Sequence, residues 1–190
     1  TCSCADGWQG PTCEVPACGG TACPALPGYS PGCNTRAYCE YTRTAPTEPW
    51  HADDVWIYLP PGTLEMGTPQ GESEGLPVER PLHEVAIARG FFIGKFEITV
   101  RLHEACETAG ACAAPAVDVD HTASWGLSRS ANGRALHPQN GLAWNEAEAV
   151  CAFLGGRKPT SAEWEYAAKG PGTHRVFPWG DGPYPECGVQ

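Results

Sequence analysis

Gly156-Arg157-Lys158-Pro159-Thr160-Ser161-Ala162-Glu163-Trp164-Glu165-Tyr166-Ala167-Ala168 sets out a helix and its start within one short run. Pro159 ends whatever precedes it. Thr160 and Glu163 stand at the spacing of a capping box, and Trp164, Ala167 and Ala168 recur at the interval of a buried helical stripe until Gly170 closes the element. Upstream, Asn145 with Glu148 reads as a second capping box. The residues behind it, Ala147, Val150, Cys151 and Leu154, follow the i, i+3, i+4, i+7 rule up to Gly155. A third helix is expected from Thr99 as N-cap to about Ala109, with Leu102, Ala105 and Cys106 on one face and Gly110 at its end.

Before these helices the pattern is that of strands. Val55-Trp56-Ile57-Tyr58-Leu59 is β-branched and aromatic and runs into Pro60-Pro61-Gly62. Leu64 to Gly67, Val85 to Ala88 and Phe91 to Ile98 read as further strands of a small antiparallel sheet, with Thr68 to Pro81 as a surface loop. Ala113 to Asn140 has little periodicity and reads as a long loop.

Seven of the eleven cysteines (Cys2, Cys4, Cys13, Cys18, Cys23, Cys33, Cys39) precede residue 40. So short a segment buries too little apolar surface to fold on its own, so disulfides are expected to hold it and an oxidising compartment is implied. Cys18, Cys23, Cys33 and Cys39 allow two bridges in three pairings, among which the sequence does not choose. Zinc is disfavoured there, because the spacings lack C-x-x-C knuckles and no histidine sits among them. Thr-Ala-Pro-Thr-Glu-Pro at 44–49 reads as a linker.

The segment Cys2-Ser3-Cys4-Ala5-Asp6-Gly7-Trp8 through Cys13 resembles the C-terminal half of an EGF-like module, and that resemblance implies a Cys4–Cys13 bridge. A second resemblance covers Trp56 to Cys187. Pro61 to Gly67, Glu79 to Val85, Phe92 to Thr99, Trp144 to Ala147 with Cys151, Gly156 to Ala168 and Phe177-Pro178-Trp179-Gly180-Asp181 are similar to the formylglycine-generating enzyme, or sulfatase-modifying factor, family. It implies an α+β, C-type-lectin-like fold, here incomplete, its C-terminal half missing, behind a small disulfide-rich N-terminal region.

The division expected is thus 1–15 for the EGF-like part, 16–43 for a cysteine-rich segment, 44–52 for a linker and 53–190 for the N-terminal part of the sulfatase-modifying-factor domain. The family activity so implied is oxidation of a sulfatase cysteine to formylglycine with O2 and copper, with calcium as a second ion. The family's calcium loops and two copper-binding cysteines lie downstream of the Pro-Trp-Gly motif, so no catalytic, cofactor-binding or metal residue is carried onto a numbered position. The fragment is expected to be inactive, marginally stable and to expose apolar surface. Its Cys151 is expected to be unpaired unless Cys187 substitutes for the family partner.

Other chemistry is weaker. Cys106 and Cys112 are read as a disulfide rather than a copper pair. His103-Glu104-Ala105-Cys106-Glu107 has Glu107 where a zinc protease needs its second histidine, so an exposed polar helix face is the reading preferred. Asp118, Asp120 and His121 read as a solvated acidic loop. For Glu97, Trp144, Asn145, Cys151, Pro159, Thr160, Glu163, Trp164, Glu165, Trp179 and Gly180 a structural role is expected: the tryptophans as core, Glu163 as a cap, and Glu165 paired to an arginine such as Arg157.

Twelve basic against 22 acidic residues, a net charge of −10, do not suit a nucleic-acid partner. No run is long enough to cross a bilayer, and no nucleophile elbow, P-loop or dinucleotide fingerprint occurs. The chain opens on Thr1 without a signal-like stretch and reads as a piece of something longer. The expectation is a secreted, periplasmic or cell-surface protein whose partner is a sulfatase polypeptide or another extracellular protein. The alternative is a non-catalytic extracellular binding module on a lectin-like scaffold. An iron-dependent oxidoreductase of the same superfamily would need a His-rich helical domain that these residues lack.

Overall fold

The computed structural model describes residues 8–9, 15–18, 20–44, 51, 54–72, 75–115, 129–172, 175–178, 180 and 182. In chain order the elements are β1 (Trp8–Gln9), β2 (Val15–Cys18), β3 (Thr21–Ala22), β4 (Tyr29–Cys33), β5 (Cys39–Arg43), β6 (Val55–Leu59), β7 (Gly62–Met66), β8 (His83–Ile87), β9 (Phe91–Gly94), α1 (Val100–Thr108), α2 (Trp144–Phe153) and α3 (Ser161–Lys169). Two compact units result, neither continuous in sequence: Thr1–Tyr58 with Gly94–Lys158, and Leu59–Ile93 with Pro159–Gln190.

In the first unit the cysteine-rich segment joins a sheet. The β4–β5 hairpin pairs Tyr29 with Arg43 through to Cys33 with Cys39, and β5 then pairs antiparallel with β6, Tyr41 opposite Trp56. On the far side of β6 the Lys95 amide donates to the Val55 carbonyl (2.8 Å). The cysteines close two bridges, Cys18–Cys33 and Cys23–Cys39, one of the three pairings left open above. Cys4 and Cys13 lie outside the described residues.

Asp54 ties the hairpin to β6. It is 2 % exposed and accepts hydrogen bonds from Tyr29 Oη (2.7 Å), Arg43 Nε (2.9 Å) and Trp56 Nε1 (2.7 Å), with Arg43 Nη2 as a further partner. Burial, then the bond to Asp54, pushes the Tyr29 phenol up to about 12. Burial, then Tyr58, does the same to Tyr41, whose hydroxyl donates to the Pro24 carbonyl (2.6 Å). With folded values above the ordinary 10.0, the neutral phenols stabilise the fold fully below about pH 10, and that contribution disappears as pH rises through about 12. A phenolate absorbance titration is therefore expected to show a late step near pH 12 coincident with loss of near-ultraviolet circular dichroism. A late step that survives in the Tyr29→Phe, Tyr41→Phe double variant would contradict this assignment.

Helix α1 begins as expected. Thr99 Oγ1 accepts from the Leu102 amide (3.4 Å) and Gly110 follows the end with φ +72°. Its first amides, Val100 and Arg101, are taken by the carbonyls of His137 and Ala135, so the end of the long loop supplies acceptors for donors that a helix leaves open. Cys106–Cys112 is a disulfide. One expectation fails here, since His103 is fully buried rather than part of an exposed polar face. Its Nδ1 lies 2.8 Å from Glu107 Oε1, and that carboxylate is drawn to Arg129 Nη1 at 2.6 Å.

Helix α2 starts two residues earlier than the Asn145 and Glu148 spacing implied. Glu146 Oε2 accepts from the Ala143 amide (2.6 Å), so the acid that reaches back is Glu146. The reason is positional: a carboxylate reaches the N-cap amide from the third helical residue, and the helix opens at Trp144. Val150 is its buried residue, while Trp144 is 74 % exposed, with the Lys158 ammonium over its ring.

In the second unit β7 and β8 form an antiparallel pair with Leu64 opposite Val85, and the Gly172 amide caps the outer side of β7 at the Thr63 carbonyl (2.9 Å). The capping box of α3 is as expected: the Thr160 amide donates to Glu163 Oε2 (2.8 Å) and the Glu163 amide to Thr160 Oγ1 (3.2 Å). The buried face is not. Tyr166 is fully buried, and Trp164, which the sequence placed in the stripe, is 62 % exposed. Two residues turn a helix by about 200°, so seating Tyr166 directs Trp164 outward.

Candidate functional site

Helix α3 lies along β7 and β8 and closes a cavity of about 510 Å³ within the second unit. Tyr166 sets the depth of the helix. Its hydroxyl donates to the Pro60 carbonyl (3.0 Å), and β7 can approach only because residue 62 is glycine, since a Cβ there would stand 2.5 Å from that hydroxyl.

The residue before Tyr166, Glu165, accepts through Oε1 from the Gly67 amide (2.8 Å) and from Lys169 Nζ (2.6 Å), and Lys169 also donates to the Gly67 carbonyl (3.1 Å). Glu165 is thus held by Lys169 and a backbone amide. Arg157 Nη1 donates to the Lys158 carbonyl. Gly67, at φ +95°, leaves no room for a side chain, because a Cβ would meet the Glu79 carbonyl. Opposite, Thr68 Oγ1 donates to Glu79 Oε2 (2.6 Å) and Arg80 Nη2 to the Glu72 carbonyl (3.3 Å).

Met66, Val78, Pro81, Trp164, Ala168 and Val176 are its apolar lining, and of these Val78 and Trp164 are exposed. Glu165 and Glu79 are both committed to partners, and the apolar residues with the tryptophan lip share the cavity with Arg80, His83 and Arg175. A concave, partly apolar place with a few polar groups is the usual form of a ligand site.

The sulfurs were the other candidates. Among the described residues the one group of three or more close metal-ligating side chains is Cys18, Cys23 and Cys39, and all three are bound in disulfides. Cys106 and Cys112 are bridged. Cys151 carries a free thiol on α2 that burial pushes up, partly offset by Lys158, so it is a poor source of thiolate at neutral pH. A Cu(I) site needs soft thiolate donors, and these residues do not fit that ion. No calcium-type group of carboxylates is found among the described residues either. Asp118, Asp120, His121, Trp179 and Cys187 lie outside them. Glu97, Asn145 and Pro159 are exposed, and Gly180 makes a bridge with Phe177.

Sequence reasoning passed over Lys169 and Asp54. Lys169 was legible as the i+4 partner of Glu165. Asp54 had no local signal, because its donors come from β4, β5 and β6.

Residues 42–188 match the sulfatase-modifying factor enzyme 1-like domain, and the chain belongs to that family, the one to which formylglycine-generating enzymes belong. It is 31 % identical over 158 residues to the formylglycine-generating enzyme of Streptomyces coelicolor, covering 66 % of this chain and 50 % of that protein. A 40-residue stretch is 50 % identical to the inactive C-alpha-formylglycine-generating enzyme 2 of Bos taurus, covering 21 % of this chain and 13 % of that protein. The structure of PvdO from Pseudomonas aeruginosa superposes with a TM-score of 0.51 at 24 % identity, over 72 % of this chain and 53 % of that one, in keeping with the C-type-lectin-like α+β fold. The chain therefore spans about half the length of the Streptomyces relative, and 13 % of the mouse formylglycine-generating enzyme in the 48-residue stretch where the two are 48 % identical.

Proposed function

We propose that this chain is the amino-terminal scaffold of a sulfatase-modifying-factor-type protein whose activity is oxidation of a cysteine in a sulfatase polypeptide to formylglycine with O2 and copper. The scaffold by itself is inactive. The observation that carries the reading is the family match over residues 42–188.

The three bridges point to an oxidising compartment, and a secreted, periplasmic or cell-surface setting follows from that chemistry. No helix among the described residues is long and apolar enough to cross a membrane. A second reading, a non-catalytic extracellular binding module, draws support from the apolar cavity with its exposed Trp164.

The test is an aldehyde assay. A sulfatase-type cysteine peptide is incubated in air with the 190-residue chain and Cu(I), then probed with a hydrazide and by mass spectrometry. No aldehyde is expected from this chain, and aldehyde formation would overturn its inactivity. The same assay on the protein carrying the continued reading frame is expected to give aldehyde. Peptide binding with no aldehyde there would favour the binding module.

A further inference from the structure

The two amino-terminal bridges are not independent of each other. Cys18 Sγ lies 3.4 Å from Cys23 Sγ, so the Cys18–Cys33 and Cys23–Cys39 disulfides touch. Cys18, Cys23 and Cys39 are buried, at 4 %, 4 % and 2 % exposure, whereas Cys33 is exposed. Cys33 and Cys39 also stand directly opposite each other in the β4–β5 register. A second pairing, Cys18–Cys23 with Cys33–Cys39, is therefore within reach of side-chain rotation and asks for no new strand arrangement.

We propose that these four sulfurs form a site of thiol–disulfide exchange that accepts a small thiolate at Cys33 and passes the bond inward. The incoming thiolate attacks Cys33 Sγ, the sulfur facing solvent. A mixed disulfide forms there, the Cys18–Cys33 bond breaks, and Cys18 leaves as a thiolate. Cys18 then attacks Cys23, forming Cys18–Cys23 and expelling Cys39 as a thiolate. Cys39 attacks Cys33 across the hairpin, forming Cys33–Cys39 and returning the original thiolate. Two disulfides enter and two leave, so the thiol is a catalyst and no net oxidant or reductant is consumed. Cys18, Cys23 and Cys39 all lie within 4.8 Å of one another, so Cys18 approaches off the Cys23–Cys39 axis. Breaking its bond to Cys33 frees the rotation that brings it into line.

The two pairings differ in what they tie. In the observed one both bridges, spanning 15 and 16 residues, join the β2–β3 segment to the β4–β5 hairpin. In the other, each bridge closes within its own hairpin, and the segment before Cys23 loses its disulfide tie to the β4–β5 hairpin. The longer loops restrict the unfolded chain more, which favours the observed pairing at equilibrium, and a catalytic thiol opens the route to the second pairing as a minor species without changing that balance.

The experiment uses the whole 190-residue chain with reduced glutathione as probe under nitrogen, quenched with acid at intervals. Peptic cleavage and tandem mass spectrometry then assign each sulfur. Glutathione is expected on Cys33 at least about tenfold ahead of Cys18, Cys23 and Cys39, followed by Cys18–Cys23 and Cys33–Cys39 peptides. First modification at Cys23 or Cys39, or reduction of Cys18–Cys33 with no Cys18–Cys23 peptide, would overturn the proposal. The Cys33→Ser variant is expected to equilibrate to a Cys18–Cys23 bridge with Cys39 free. Persistence of Cys23–Cys39 beside a free Cys18 would count against it, and the wild-type time course decides the matter should that variant not fold.

Discussion

Asp54→Ala is expected to destabilise the chain by about 3–5 kcal/mol, read as a shift of the urea midpoint at constant slope. The side chain of Asp54 is fully enclosed, whereas that of Arg43 retains 29 % of its exposure. Truncation removes the acceptor of Tyr29, Trp56 and Arg43 at once, leaving a guanidinium and two neutral donors facing a hole. Arg43 can turn partly to water, which pulls the cost toward the lower end of the range. Asp54→Asn keeps the volume and loses the charge, so it is expected to fall between wild type and the alanine variant. A loss under about 1 kcal/mol for Asp54→Ala would show that the carboxylate does not hold the β4–β5 hairpin to β6.

The second large effect is at Tyr166. Tyr166→Ala empties the most enclosed position of the second unit and is expected to cost about 3–5 kcal/mol. Tyr166→Phe loses only the bond to the Pro60 carbonyl, about 1 kcal/mol. Gly62→Ala forces a methyl against the Tyr166 hydroxyl and is expected to cost about 1–3 kcal/mol. The pair is diagnostic, because Tyr166→Phe removes the atom that the methyl strikes. The Gly62→Ala, Tyr166→Phe double variant should therefore be more stable than the sum of the single losses implies, by about 0.5 kcal/mol or more. Strict additivity in the denaturation midpoints would mean that α3 is not seated on β7 through this contact.

Much of the second unit was legible locally. Thr160 and Glu163 cap α3 through groups three residues apart, an interaction complete within one turn of chain, and Thr99 caps α1 in the same way. Trp164 and Trp144 were misread for a physical reason. A helical stripe of Trp164, Ala167 and Ala168 is as regular as the one actually used, and periodicity does not say which face meets a neighbour. The neighbour chose Tyr166, whose hydroxyl reaches a carbonyl more than a hundred residues away in sequence. His103 went the same way, buried with Glu107 beside it and Arg129 brought in from within the long loop.

What the residues determined by themselves was therefore the family, the capped starts of α1 and α3, the strands β6 to β8 and the need for disulfides in a segment too small for a core. Each of these rests on interactions between near neighbours, or on motifs quoted residue by residue. Only the tertiary structure decided which cysteines pair, that the cysteine-rich hairpin shares a sheet with β6 through Asp54, that Lys169 and the Gly67 amide hold Glu165, and that a cavity with a tryptophan lip opens beside α3. These depend on which distant surfaces meet, and hydrophobic burial, which drives that meeting, is proportional to area and carries no direction along the chain.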